Sequence, residues 1–108
     1  MSTAPSDSVT SPAHSMAQAA EQAALFLRML GNEQRLHVLC LLLEHQELSV
    51  SQLLDHVPLS QSALSQHLAK MREEGLVNTR RVSQMIFYRI GDSKVERIIE
   101  VLKEMYCP

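Results

Sequence analysis

The sequence predicts a mainly α-helical domain of the winged helix-turn-helix class, in which four helices precede a small β-hairpin and a fifth helix. Three observations lead to this prediction. Apolar residues recur at helical spacing through most of the chain beyond residue 15. A link formed by Pro58 and Leu59 separates two of the helical segments, as in a helix-turn-helix. After Leu76 the apolar spacing shortens to the alternation that is typical of strands.

The chain begins with a segment of disordered composition. Residues 1–15 contain prolines, several serines and few large apolar side chains, so we predict a disordered tail there and the folded domain over residues 16–108. The first helix is predicted to start at Met16 and to end at Gly31, and Asn32 is the expected N-cap of the second helix. The second helix is expected to bury a stripe formed by Leu36, Leu39, Cys40 and Leu43.

Capping signals delimit the third and fourth helices. Ser49 and Gln52 have the spacing of a capping box, which opens a short third helix predicted over residues 50–57. Ser60 is the predicted N-cap of the fourth helix, and Gly75 is its predicted C′ residue. The buried stripe of the fourth helix is expected to consist of Leu64, Leu68 and Met71.

The wing and the last helix follow from the remaining segments. Residues 77–82 and 84–90 alternate in polarity and are predicted as two strands joined by a turn around Ser83. Asp92 or Ser93 is expected to begin the last helix as its N-cap. The buried stripe of that helix is expected to contain Val95, Ile98, Ile99, Leu102 and Tyr106.

Length and composition restrict the class of protein. A chain of 108 residues is long enough for one domain, which would gain stability by sharing its core with a second copy. Its longest apolar run, residues 38–43, is far shorter than the roughly 18 residues of a membrane helix, so we expect no membrane partner. The N-terminal residues lack the basic and apolar regions of a signal peptide. We therefore expect a cytoplasmic protein.

Charge is distributed unevenly along the chain. The net charge is −2, yet residues 59–90 carry five basic and two acidic side chains, a local excess of +3. A basic middle segment on an acidic chain is typical of a surface that binds a polyanion. Ordinary scatter of charges would produce a similar excess, so the decision rests on the side chains of the fourth helix.

The outward face of the fourth helix has the composition of a DNA-reading surface. Its side chains are hydroxyls, amides and one lysine, and no acidic residue precedes Glu73. Glutamine forms two hydrogen bonds with adenine, and serine bonds bases or phosphates. A generic solvated face would mix glutamate with lysine, so we interpret this face as one that reads duplex DNA. The residues expected to contact DNA are Ser60, Gln61, Ser62, Ser65, Gln66 and Lys70.

Three residues near the tip of the wing are expected to extend this surface. They are Arg80, Arg81 and Gln84. Arginines at this place suit contacts with phosphate or with the minor groove. They equally suit a role as charged guards of an exposed strand edge, and the two roles are compatible.

Four segments of the chain carry a family resemblance. They read LGNEQRLHVLCLL, ELSVSQL, LSQSALSQHLAKMREEGLV and IFYRI, and the run SQSALSQHL is highly specific. Together they make residues 25–107 similar to the winged-helix repressors of the ArsR family. Proteins of that family are homodimers that pair through their first and last helices and bind inverted repeats in operator DNA. The resemblance implies the same partners here, a second copy of the chain and double-stranded operator DNA.

The metal sites of ArsR-type relatives lack their ligands in this chain. The thiolate site of the family lies in an ELCVCDL motif, whereas this chain reads ELSVSQL, with Ser49 and Ser51 at the cysteine positions. Hydroxyls are poor ligands for soft metals. A second family site uses Asp and His on the last helix, where this chain has no histidine. We expect no metal site and no cofactor, and a metal sensor with a non-standard site remains an alternative.

The two cysteines of the chain, Cys40 and Cys107, suggest a different kind of sensor. A structural disulfide is unusual in the cytoplasm, and Cys40 alone fits a small buried side chain. Cys107 is harder to explain by packing because it is the penultimate residue. The second and fifth helices are expected to be packing neighbours, so we expect the two sulfurs to lie close together.

The cysteine segments RLHVLCLL and EMYCP resemble those of the ArsR subgroup that includes BigR, SqrR and HlyU. This resemblance implies a redox-sensing dithiol of Cys40 and Cys107 that responds to reactive sulfur species or to other oxidants. The reduced protein would bind its operator as a repressor, and a disulfide or polysulfide bridge would release it. A regulator that acts by displacing another silencing protein, as in HlyU-type relatives, remains an alternative.

Two further classes of function are disfavoured by the sequence. A thiol oxidoreductase would need a C-x-x-C motif in a strand–helix context, and the chain has neither. A pure protein-interaction domain does not account for the polar face of the fourth helix or for the arginines of the wing. We therefore expect no enzyme and no catalytic residue.

Overall fold

The computed structural model describes residues 12–107, and the chain divides into two units after Asn32. The predicted tail lies outside the described residues as far as residue 11. No helix in residues 12–107 combines the length and apolarity needed to cross a membrane. The elements in chain order are α1 Pro12–Leu30, α2 Glu33–His45, β1 Leu48–Ser49, α3 Val50–Leu54, α4 Gln61–Glu73, β2 Val77–Val82, β3 Met85–Ile90 and α5 Ser93–Tyr106.

The first unit contains α1, which begins at Pro12, four residues before the predicted start at Met16. Proline is favourable in the first turn of a helix because the amide hydrogen it lacks has no partner there. The helix ends before Gly31 as predicted, but the left-handed backbone expected of a C′ glycine is absent at Gly31. A side chain at Gly31 would instead approach the carbonyl oxygen of Leu27 to 3.2 Å, so close packing explains this glycine.

The second unit has its core around α2, whose buried face differs from the predicted stripe. Only one member of that stripe, Leu39, is fully buried, and the other three are half-buried. Apolar residues occupy so many positions of α2 that spacing alone did not fix its orientation. The buried residues of α2 are Arg35, Val38, Leu39 and Leu42.

The capping box before α3 is confirmed, although α3 ends at Leu54 rather than at residue 57. The Gln52 amide N–H donates to Ser49 Oγ at 3.2 Å, and the Ser49 amide N–H donates to Gln52 Oε1 at 2.9 Å. The two residues before α3 also form strand β1, which the sequence analysis missed. A strand of two residues is too short to show an alternating pattern.

Helix α4 follows the prediction closely. Ser60 is its N-cap and accepts a hydrogen bond from the Ala63 amide N–H at 3.1 Å. Gly75 has a φ of 79°, the left-handed conformation that a C′ glycine adopts after a helix. The predicted stripe is completely buried and anchors α4 in the core through Leu64, Leu68 and Met71.

The three strands form an antiparallel sheet in the order β1-β3-β2. Strands β2 and β3 are the predicted wing, and Val82 pairs with Met85 across a turn in which Ser83 has a φ of 58°. Because side chains alternate between the faces of a strand, neighbours such as Arg80 and Arg81 project from opposite faces of the wing.

Helix α5 begins where predicted, with Asp92 as its N-cap, and packs against α2. Val95 and Ile99 are fully buried, in agreement with the predicted stripe. The prediction that Tyr106 is buried is wrong for the single chain, because its side chain is 75% exposed. The predicted stripe is therefore buried in the first half of α5 and becomes exposed towards the end of the helix.

Candidate nucleic-acid interface and cysteine pair

The predicted DNA-contacting residues of α4 all lie on its exposed face. Leu64 and Leu68 hold the opposite face in the core, so the polar side chains have a fixed direction. The first turn contains no acidic residue, and the positive end of the helix dipole lies there. The Ser60 hydroxyl accepts the capping hydrogen bond at 3.1 Å and shares a second hydrogen bond with the Ser62 hydroxyl at 3.4 Å, in which either oxygen can be the donor. The exposed residues are Ser60, Gln61, Ser62, Ser65, Gln66 and Lys70.

The two wing arginines have different surroundings, which the sequence did not reveal. Arg80 donates two hydrogen bonds to the carboxylate of Glu47, at 2.6 and 2.9 Å, and its guanidinium lies 5.5 Å from the centre of the Phe87 ring. These hydrogen bonds and the adjacent positive charge lower the pKa of Glu47, and the same contact raises the pKa of Arg80. A second arginine, Arg89, lies near the same carboxylate, with its Nη1 atom 3.8 Å from Glu47 Oε2.

Arg81 and Gln84 are the wing residues with free polar groups. Both are exposed, and Gln84 lies in the turn between β2 and β3. Within residues 12–107, no ion pair involves Arg81. Arg81 is therefore the wing arginine whose guanidinium is available to a phosphate without breaking an existing contact.

Cys40 lies on α2 and Cys107 is the C-cap of α5, and these two helices pack together. Both are free thiols; Cys40 is half-buried, and Cys107 is exposed and caps the end of α5, where its amide N–H donates to the Lys103 carbonyl oxygen at 2.8 Å. Burial raises the pKa of Cys40, and the charge of a Cys107 thiolate raises it further, whereas Lys103 opposes the shift. The two predicted sensing cysteines therefore belong to neighbouring helices of the second unit.

Ser49 and Ser51, which replace the metal-binding cysteines of ArsR-type relatives, have a structural role in this chain. Ser49 is buried and caps α3, and its hydroxyl lies 3.2 Å from that of Ser51. The imidazoles of His45, at the end of α2, and of His56, after α3, stack with their centres 5.7 Å apart. Nowhere in the described chain do three or more His, Cys, Asp or Glu side chains gather as metal ligands.

A helix pair α3–α4 joined by the short link of residues 55–60, followed directly by a two-stranded wing, defines a winged helix-turn-helix DNA-binding regulator. The sequence profile of the bacterial regulatory proteins of the arsR family matches residues 32–79. The chain belongs to the ArsR family and is a transcriptional regulator, not an enzyme.

Relatives of known name support this assignment. The chain is 49% identical over 86 residues to the transcriptional activator HlyU of Vibrio cholerae, a match that covers 80% of this chain and 79% of HlyU. It is 38% identical over 96 residues to the biofilm growth-associated repressor of Agrobacterium fabrum, covering 89% and 81% of the two chains. The structure of reduced HlyU from Vibrio cholerae superposes with a TM-score of 0.81 at 46% identity, covering 87% of this chain and 98% of HlyU.

Proposed function

We propose that this ArsR-family regulator is a cytoplasmic repressor that binds operator DNA when reduced and dissociates when a sulfur bridge joins Cys40 to Cys107. One observation carries the proposal, namely that α2, which contains Cys40, packs against α5, at the end of which Cys107 is exposed. The two residues are the only cysteines of the chain, so a bridge within one subunit has a single possible pairing.

A persulfide is the proposed oxidant, and its reaction with the dithiol balances. The thiolate of Cys107 attacks the outer sulfur of a persulfide RSSH, which forms a Cys107 persulfide and releases the thiol RSH. The thiolate of Cys40 then attacks the inner sulfur of that persulfide, which closes the disulfide and releases hydrogen sulfide after proton uptake. Both cysteine sulfurs are oxidised, and the sulfane sulfur of RSSH is reduced. A longer polysulfide bridge requires further persulfide molecules.

The DNA-binding form is proposed to be a homodimer that reads an inverted repeat with two copies of α4. The late part of α5 supports this arrangement because it exposes apolar side chains, with Val101 49%, Met105 65% and Tyr106 75% exposed. Single-chain exposure of this kind suits burial against a second copy. Since α5 carries Cys107 at its end, a bridge to α2 is expected to move this face and to change the separation of the two α4 helices, which must match one turn of duplex.

Two measurements on the wild-type protein test the switch directly. An operator duplex is first selected from a random library with the reduced protein. Fluorescence anisotropy then follows release of this duplex during persulfide treatment, and intact-mass spectrometry of the same samples detects the loss of two hydrogens or the gain of sulfur. We expect release and bridge formation to proceed together; bridged protein that remains on the operator would overturn the proposal.

The order of reaction of the two thiols is a first prediction. Cys107 is exposed, whereas Cys40 is half-buried with a raised pKa, so less thiolate is present at Cys40 near neutral pH. Iodoacetamide is expected to alkylate Cys107 several-fold faster than Cys40, as measured by peptide mass spectrometry after brief exposure. Faster alkylation of Cys40 at neutral pH would contradict the order, and urea-unfolded protein is the control in which the rates converge.

A second prediction separates base reading from phosphate contact. Gln61→Ala, Ser65→Ala and Gln66→Ala are each expected to weaken operator binding by about 1–3 kcal/mol and to change binding to random duplex much less. Arg81→Ala is expected to weaken binding to both duplexes and to make the salt dependence shallower by about one unit of slope for each subunit of the dimer. Anisotropy titrations at several salt concentrations measure these effects. Equal losses on both duplexes for the α4 variants would remove the base-reading role.

A second candidate function is a regulator that displaces another silencing protein. It is favoured by the name of the relative HlyU, a transcriptional activator at 49% identity, whereas the Agrobacterium relative is named a repressor. The two candidates differ in one measurable respect. A displacement-type regulator keeps its operator affinity after oxidation, whereas the proposed switch loses it.

A further inference from the structure

Glu47 precedes strand β1 and meets two arginines on one face of the sheet. Leu48 pairs with Tyr88, so Glu47 lies opposite Arg89 in the antiparallel register, and Arg80 reaches the same carboxylate from β2. The side chain of Glu47 is 23% exposed, whereas those of Arg80 and Arg89 are 52% and 57% exposed. The Glu47 carboxylate is therefore partly covered by the two guanidinium groups, which are themselves accessible to solvent and to a phosphate.

This arrangement reduces the attraction of the wing for DNA in two ways. The carboxylate cancels one of the two positive charges on this face. It also fixes the Arg80 guanidinium with two charge-assisted hydrogen bonds while the guanidinium lies beside Phe87, so a phosphate must compete with an existing bidentate partner. Arg81, on the opposite face of the wing, has no such partner among residues 12–107.

We propose that Glu47 is a positioning residue that withholds Arg80 from the DNA backbone and so limits the sequence-independent affinity of the wing. The proposal rests on the DNA-binding part of the function proposed above and is independent of the cysteines. Weak phosphate attraction by the wing leaves the choice of site to the exposed side chains of α4, which is useful for a regulator that must distinguish its operator from other DNA.

The test replaces the carboxylate by an amide of the same size, Glu47→Gln, and measures DNA binding of the fully reduced protein over a range of salt concentrations. The probes are the selected operator duplex and a random duplex of equal length. One additional phosphate contact in each subunit of the dimer should tighten binding to both duplexes by about sixtyfold near 0.1 M salt and steepen the salt slope by about 1.8. Glu47→Ala, which offers no acceptor at all, should give the same slope.

Two further variants identify the source of the gain. The double variant Glu47→Gln/Arg80→Ala should lose the added affinity and return to the wild-type salt slope, because Arg80 is the side chain that Glu47 withholds. Glu100→Gln is the matched control, since it removes the same charge from an exposed position on α5 without touching the wing arginines. Glu100→Gln and Glu47→Gln change the net charge of the protein by the same amount. Any steepening of the salt slope that Glu47→Gln shows beyond that of Glu100→Gln therefore comes from Arg80.

Other results would overturn the proposal. If Glu47 only holds the wing in place, Glu47→Gln weakens operator binding and does not steepen the salt slope. An unchanged slope and affinity would mean that Arg80 does not approach phosphate even when free. Failure of the DNA-binding function itself is distinguishable, because the wild-type protein would then bind the selected and random duplexes equally.

Discussion

Cys107→Ser protein is expected to bind the operator normally when reduced and to remain bound after persulfide treatment that releases the wild-type protein. Serine preserves the size of the side chain but cannot accept sulfur or form the bridge to Cys40. If bridging favours the released conformation by about 3 kcal/mol, operator affinity of the wild-type protein falls about 150-fold on oxidation. The variant should show almost none of this loss. Anisotropy titration of the operator before and after treatment measures the difference.

The reciprocal variant, Cys40→Ser, is the control for this experiment. It should also resist release, but Cys40 is half-buried, so its thermal unfolding must be compared with that of the wild-type protein first. Release of both serine variants as readily as the wild-type protein would show that the dithiol is not the sensor, and the displacement-type regulator would then be the better explanation. Release by zinc that a chelator reverses, and that Cys40→Ser retains, would indicate a non-standard metal site.

The parts of the fold that the sequence predicted correctly are those determined by neighbouring residues. The capping box of Ser49 and Gln52, the N-cap Ser60 and the left-handed Gly75 each depend on contacts within a few positions. Strand β1 depends instead on pairing with β3, about forty residues away, and two residues carry no periodic signal. The buried face of α2 was mispredicted because apolar residues occupy most positions of that helix, and the ion pair that Arg35 forms with Glu74 leaves no local pattern in the sequence.

The candidate site divides in the same way. The exposed face of α4 followed from the spacing of its buried stripe, and the packing of α2, which contains Cys40, against α5, which ends at Cys107, was expected from the sequence. The contact of Glu47 with Arg80 could not be predicted from the sequence. It joins residues 33 positions apart and depends on the strand order β1-β3-β2. A helix pattern is local, whereas a sheet neighbour is not.

Glu74→Gln is expected to lower the free energy of unfolding by about 1.5–3 kcal/mol, the usual contribution of a hydrogen bond to a charged group. Glu74 is the C-cap of α4, and its carboxylate accepts a hydrogen bond from Arg35 Nη1 at 2.8 Å. The Arg35 side chain is only 10% exposed, so its guanidinium would lose a charged partner in a place that water reaches poorly. Urea unfolding followed by circular dichroism measures the loss.

Glu73→Gln is the matched control for this prediction, because Glu73 is the preceding residue on α4, is exposed and forms no ion pair among the described residues. It should change the free energy of unfolding by less than about 0.5 kcal/mol. Since the ion pair joins α2 to α4, combining Glu74→Gln with Arg35→Met should destabilise the protein by less than the sum of the two single changes. Strictly additive losses, or a Glu74→Gln protein as stable as the Glu73→Gln control, would mean that the pair does not hold the end of α4 against the helix that carries Cys40.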